Sequence, residues 1–293
     1  MTIMEALERA KLMRKAKEET AVHRRVERQQ VLVEEPAEPL ILQDTLSSES
    51  GAGPEEFAAL ERVDFDAAIG EAHHVLVQDQ ATDAAARADA AYRMLRGRVL
   101  NRIRTSNWSC VGISSPGPGE GKTVTTLNLA ICIAREKQRP VYLLDLDMRN
   151  PSVLAYVGVR PPIGLSRYFS DGLSADQVLF ETNMPGLIVG GNREPVANAS
   201  ELLATSRLAQ LLAYIRRRSP DALIIIDLPP VMSTDEALVV APKVDGMLLV
   251  VSEGITRRDQ LRRCTDMLSD FPVAGIIMNR SSEGLGRKYY GGY

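Results

Sequence analysis

Between Ser114 and Val124 the chain reads Ser-Ser-Pro-Gly-Pro-Gly-Glu-Gly-Lys-Thr-Val, a composition suited to holding phosphate. Gly117, Gly119 and Gly121 lack Cβ atoms, so backbone N–H groups there can turn inward on anionic oxygens. Lys122 can span terminal phosphates. Thr123 can ligate Mg²⁺ while capping the helix that Val124 continues, and the positive end of that helix adds to the attraction. The strict motif has glycine five residues before Gly121, where this chain has Pro116. Context outweighs the departure: a β-rich run, Cys110 to Ser114, leads into the loop and a helical stretch, Val124 to Arg135, leaves it. An ordinary glycine-rich turn has no use for Gly-Lys-Thr at such a junction.

Two further runs supply what a phosphate loop lacks. Val141 to Leu144 is an apolar strand followed by Asp145, Leu146, Asp147, Met148 and Arg149, so Asp145, Asp147 and Arg149 share one face while the backbone stays extended. Leu223 to Ile226 is a second buried strand, tipped by Asp227. In a doubly wound sheet such tips line the ligand crevice beside the phosphate loop. Three carboxylates converging on an apolar rim require a cation, and Mg²⁺ is the expected partner. An aspartate that merely caps the next helix would explain either strand alone; it does not explain both beside the loop.

The elements that must position these groups follow from the texture after Trp108. Short β-rich runs (Cys110 to Ser114, Val141 to Leu144, Leu223 to Ile226, Met247 to Val251, Val273 to Met278) alternate with helical stretches of about 10 to 20 residues. This is the pattern of an α/β fold, a doubly wound and mostly parallel sheet covered by helices on both faces. A helix is expected from about Ala84 to Arg104, with Tyr92, Leu95, Val99 and Ile103 on the face that packs. The compact domain is expected over 84–282.

The chain has 293 residues, 45% of them apolar, enough for a real core. Its longest apolar runs fall far short of the roughly 20 residues that a spanning helix needs. Glu5 and Glu8 stand against a signal peptide. Cys110, Cys132 and Cys264 lie far apart in an odd count, without metal-ligand spacing, which fits a reducing cytoplasm. Residues 1–30 are rich in arginine and lysine, with Ile3, Leu7, Ala10 and Met13 at roughly helical spacing, and read as a basic helical segment, whereas 31–83 read as an acidic linker punctuated by proline, serine and glycine. The end, 283–293, reads as a flexible tail in which Tyr289, Tyr290 and Tyr293 crowd around Gly291 and Gly292. The net charge of −3 excludes nothing by itself, though it weighs against nucleic acid as the partner of the arginine-rich helix.

Taken together, the loop, the Leu-Leu-Asp-Leu-Asp-Met-Arg-Asn-Pro strand (143–151), the Ile-Ile-Ile-Asp-Leu-Pro-Pro strand (224–230) and the tyrosine-rich end resemble the bacterial tyrosine kinases of exopolysaccharide and capsule synthesis. Ala199-Ser200-Glu201-Leu202-Leu203, with Gly190 and Gly191 upstream, resembles a further region of that family, and the likeness covers roughly 89–293. It implies a P-loop nucleotide-hydrolase fold of the deviant Walker (MinD/ParA-like) type, with ATP and Mg²⁺ as cofactors. The loop from Gly117 through Pro118, Gly119, Glu120, Gly121, Lys122 and Thr123 to Val124 would cradle the nucleotide, with Arg149 beside it and Asn279 against the adenine. Lys122 would hold the β- and γ-phosphates, Thr123, Asp147 and Asp227 would bind the metal, and Asp145 would be the base for an incoming tyrosine hydroxyl. Tyr289, Tyr290 and Tyr293 would be the phosphoacceptors, presented to a neighbouring subunit.

The family often carries Glu-x-x-Arg-x-x-Arg on the helix before the loop, for ring assembly; this chain keeps Arg93 and Arg96 but has Ala90 at the glutamate position. Asp89, next to it, points about 100° away around a helix. Without spanning helices, the chain resembles the split form of the family, a cytoplasmic kinase recruited to the inner face of the plasma membrane by a membrane-embedded polysaccharide co-polymerase or activator. Two alternatives remain open. One is a positioning or partitioning ATPase switch, although the signature lysine of those proteins is replaced here by Gly117. The other is a catalytically weak nucleotide-binding regulator of polysaccharide assembly.

Overall fold

Apolar runs of four to seven residues, buried on both faces, dictate a sheet sandwiched between helices. The computed structural model describes residues 57–77 and 82–281. The expected basic helix over 1–30, part of the expected linker and the tyrosine tail over 283–293 lie outside the described residues.

In chain order the elements are β1 (Glu61–Val63), α1 (Ala67–Ala72), α2 (Asp83–Ser106), β2 (Cys110–Ser114), α3 (Lys122–Ala134), β3 (Val141–Asp145), α4 (Val153–Tyr156), α5 (Ser166–Ser170), β4 (Phe180–Thr182), β5 (Leu187–Gly190), α6 (Ala199–Ala204), α7 (Arg207–Arg218), β6 (Leu223–Asp227), α8 (Glu236–Val240), β7 (Gly246–Ser252), α9 (Arg258–Met267) and β8 (Val273–Asn279). The sheet order is β1-β4-β5-β3-β6-β2-β7-β8, and every neighbouring pair is parallel except β4 with β5. The period-two alternation of the strands divides the core in two. Tyr142, Leu144, Ile224 and Ile226 meet Leu208, Leu211, Leu212 and Ile215 of α7 on one side; Val111, Ile113, Leu143 and Ile225 meet Leu127 and Ile131 of α3 on the other.

Two expectations are corrected. The linker was expected to run to residue 83, yet 57–77 belongs to the fold. β1 pairs with β4 in parallel, Asp66 caps α1 by accepting from the N–H groups of Ala68 and Ile69, and Asn183 holds both backbone groups of Phe65. The acidic composition hides Leu60, Phe65, Val75 and Leu76, four buried apolar residues spaced too widely to read as an element. The second correction concerns the strand after Val141, which ends at Asp145 rather than staying extended to Arg149. Asp145 itself ends it, because its carboxylate accepts from the N–H groups of Asp147, Ser152 and Val153 and folds the chain back.

The long helix forms as expected. α2 extends one residue before and two residues after the expected 84–104; the Thr82 hydroxyl accepts from Ala85 N–H at its start, and Asn107, at φ 55°, ends it in the left-handed region.

Candidate active site

β2, β3 and β6 end side by side, and α3 starts above them. Asp145 is the register partner of Asp227, and Ile113, one residue before the end of β2, is the partner of Asp227 on its other side. Strand pairing alone therefore brings two carboxylates together under the loop. Gly121 stands at the start of α3 with φ 86°, and Gly119 turns with φ 75°. A Cβ at Gly121 would also lie 2.1 Å from Asn279 Nδ2, so a side chain there would strain the backbone and displace the Asn279 amide. No side chain caps α3, which leaves its first N–H groups and its positive end facing the loop. Thr123, expected to cap this helix, instead donates its hydroxyl to Asp227 at 2.7 Å.

Lys122 is the hub. Its ammonium lies 2.7 Å from Asp147 Oδ2 and 3.3 Å from Asp227 Oδ2, and it donates to Thr123 Oγ1 at 3.2 Å. Asp227 also accepts from Thr126 at 3.0 Å, while Ser152 Oγ sits 3.4 Å from Thr123 Oγ1. All three aspartates are buried. Burial works against the charge on Lys122, but Asp227 and Asp147 outweigh it and hold its pKa above the ordinary lysine value. Burial first, and then the charge of Asp227, pushes Asp145 up to about 8. Asp227 is also raised, by burial, with Lys122 opposing. One buried lysine thus faces three carboxylates, a deficit of positive charge that a bound cation would fill.

The donor set fits Mg²⁺. Thr123 Oγ1 and the carboxylates of Asp227 and Asp147 are hard oxygen donors beside a cradle for phosphate. Mg²⁺ is usually held by one or two carboxylates together with water and substrate phosphates.

The remaining expected residues are placed less uniformly. Glu120 is buried within the loop. The Asn279 amide donates to Glu120 O at 2.9 Å and its oxygen accepts from Arg280 N–H, so both ends of this side chain are engaged at the loop. Arg149 is drawn off by the early end of β3 and pairs with Glu236, a buried acid that sequence reasoning missed. Nothing in the sequence around Glu236 marks it; only the packing of α8 brings it to Arg149. Thr126 was also missed, although its place one turn after Lys122 could have suggested it.

Comparison with known proteins bears on this site. Residues 108–284, more than half of the chain, match the family described as ParA: NUBPL iron-transfer P-loop NTPase. The tyrosine-protein kinase YwqD of Bacillus subtilis (strain 168) is 30% identical over 190 residues, covering 64% of this chain and 79% of the relative. The chain belongs to the bacterial tyrosine-protein kinases, on a ParA-type P-loop fold. Another such kinase, ptk of Acinetobacter johnsonii, is 27% identical over 187 residues, but the match covers only 25% of that longer relative. The solved kinase domain of VpsO superposes with a TM-score of 0.61 at 27% identity, covering 68% of this chain and 98% of that one. The aspartate-tipped strands and the lysine hub described above all lie inside the matched region of this tyrosine kinase.

Proposed function

We propose that this tyrosine kinase transfers the γ-phosphoryl group of ATP, with Mg²⁺, to its own tyrosines Tyr289, Tyr290 and Tyr293, each subunit serving as substrate for a neighbour. The observation that carries the reading is the convergence of Lys122, Asp147, Asp227 and the Thr123 hydroxyl beside an uncapped helix start. Phosphoryl transfer asks chiefly for alignment and neutralisation of charge, and these groups supply both. Bound Mg²⁺ would neutralise phosphate oxygens, held by Thr123, Asp227 and Asp147. Lys122 would move from Asp147 and Asp227 onto the β- and γ-phosphates, exchanging carboxylate partners for phosphate ones. Gly117 to Val124 would wrap the phosphates, with Arg149 and Asn279 at the edges of the nucleotide site.

Asp145 is the proposed base. Its two oxygens already accept three backbone N–H groups, and a carboxylate has about four acceptor positions, so Oδ1 retains one for a tyrosine hydroxyl. A pKa near 8 suits proton transfer from a phenol at near-neutral pH. Beyond the chemistry, the proposed role is regulation of exopolysaccharide polymerisation and export from the inner face of the plasma membrane, through a membrane-embedded partner. That role follows the resemblance to the capsule and exopolysaccharide kinases; no helix among the described residues is long and apolar enough to cross a membrane.

The test is incubation of the purified chain with ATP and Mg²⁺, followed by mass spectrometry of the tail. Phosphate is expected on Tyr289, Tyr290 or Tyr293, and Lys122→Met is expected to lower its rate by at least about a hundredfold. An unmodified tail with intact ATP turnover would favour an ATPase switch instead.

A further inference from the structure

The Glu120 side chain is buried inside the phosphate loop, where the chemistry gives a carboxylate no task. One oxygen, Oε1, accepts from the Thr256 hydroxyl at 2.8 Å; the other, Oε2, has no partner. Burial raises the pKa of Glu120, while the Thr256 hydroxyl and a backbone hydrogen bond from Gly117 oppose that rise. Thr256 in turn is fixed from the sheet: its hydroxyl accepts from Ser252 N–H at 2.8 Å, and its own N–H donates to Ser252 O at 3.0 Å. Ser252 is the last residue of β7, and 255–256 lie in the turn that leads to α9. A continuous polar path therefore runs from the rigid tip of β7 through one hydroxyl to the residue beside Gly121 and Lys122.

We infer that Thr256 is a positioning residue for the kinase reaction, acting through Glu120 to hold the phosphate loop in the shape that receives nucleotide. A loop rich in glycine has many accessible conformations, and each that must be frozen on binding weakens the affinity. Glu120 cannot restrain the loop alone, because a side chain within a loop moves with it. Thr256 supplies an anchor outside the loop. Asn279, at the end of β8, holds Glu120 O from another strand, so two elements grip one residue. The arrangement predicts an effect on nucleotide binding rather than on the transfer step, since Thr256 touches none of the groups proposed to react.

This inference rests on the proposed ATP-dependent function, and the experiment separates the two. ATP affinity and KM and kcat for ATP are measured for the full chain, for Thr256→Val and Thr256→Ser, and for Glu120→Ala with and without Thr256→Val, alongside the melting temperature of each nucleotide-free protein. Thr256→Val keeps the shape and removes the hydroxyl; it is expected to raise KM and Kd about tenfold, with kcat within about twofold, the loss expected for one hydrogen bond to a charged group. Thr256→Ser restores the hydroxyl and is expected to stay within about threefold of the unaltered chain. In the Glu120→Ala background, Thr256→Val is expected to add little, because the two residues act as one unit.

Equal losses with and without Glu120, or a lowered melting temperature with unchanged KM, would overturn the inference by reducing Thr256 to a structural turn residue. If Thr256→Val does not fold, Glu120→Gln carries the test: it keeps the acceptor and weakens the bond, so KM is expected to rise about threefold, and an unchanged KM overturns the inference. Failure of the unaltered chain to bind ATP would instead refute the proposed function.

Discussion

Asp145 shows how far one residue's environment departs from its type. Its carboxyl is raised from an ordinary value of 3.8 to about 8, so the folded state holds a proton that the unfolded chain releases across that interval. The stabilising contribution is complete below about pH 4 and is lost as pH rises towards 8. The nucleotide-free protein should therefore show a fall in melting temperature over that range that is shallower in Asp145→Asn. If Asp145 is the base, kcat/KM should climb with pH through about 8 in the unaltered chain, and the same substitution should flatten the climb. At this scale the sequence was informative where spacing alone determines chemistry: Lys122, Thr123, Asp147 and Asp227 meet as expected. It did not foresee that Arg149 pairs with Glu236, a partner 87 positions away.

At the scale of elements, α3 carries the phosphate loop at one end and is strapped along its flank by residues 74–76. Asn128, buried in α3, accepts from Leu76 N–H at 2.7 Å and donates to His74 O at 3.0 Å, while Arg135 donates to Leu76 O at 2.7 Å. Asn128→Ala leaves two backbone groups without these partners and should cost about 1–3 kcal/mol, read by chemical denaturation. A loss below about 0.5 kcal/mol would show that the strap contributes little to the fold. The strands of the sheet and the helix before the loop were legible because apolar runs and helical periodicity are local signals. The segment that leads into the strap was not, since a three-residue edge strand and a six-residue helix carry too few residues to display a period. The backbone around them is held at Phe65 by Asn183 and at Leu76 by Asn128, partners 118 and 52 positions distant.

At the scale of the whole molecule, the two arginines kept from the family's ring motif are engaged within the subunit: Arg93 lies 3.0 Å from Asp89, and Arg96 lies 2.7 Å from Glu136. Asp89, adjacent to Ala90, is thus tied to Arg93 and also to Arg135 rather than offered to a neighbour. A neighbouring subunit using these arginines would have to displace partners already in place. Removal of 285–293 tests the tail as substrate rather than structure: ATP binding should stay within about twofold, self-phosphorylation should vanish, and phosphorylation of an added tyrosine copolymer should persist. Loss of ATP binding would mean that the tail supports the fold. The sequence by itself determined the sheet, the phosphate loop and the identity of the lysine and its carboxylates, because strand periodicity, glycine spacing and strand-end acids are properties of neighbouring residues. Only the tertiary structure decided that burial raises the pKa of Asp145 and Asp227, where Arg149 points, and that Glu120 is held from the turn after β7 by Thr256. Each of these depends on burial and on partners distant along the chain, which no local pattern records.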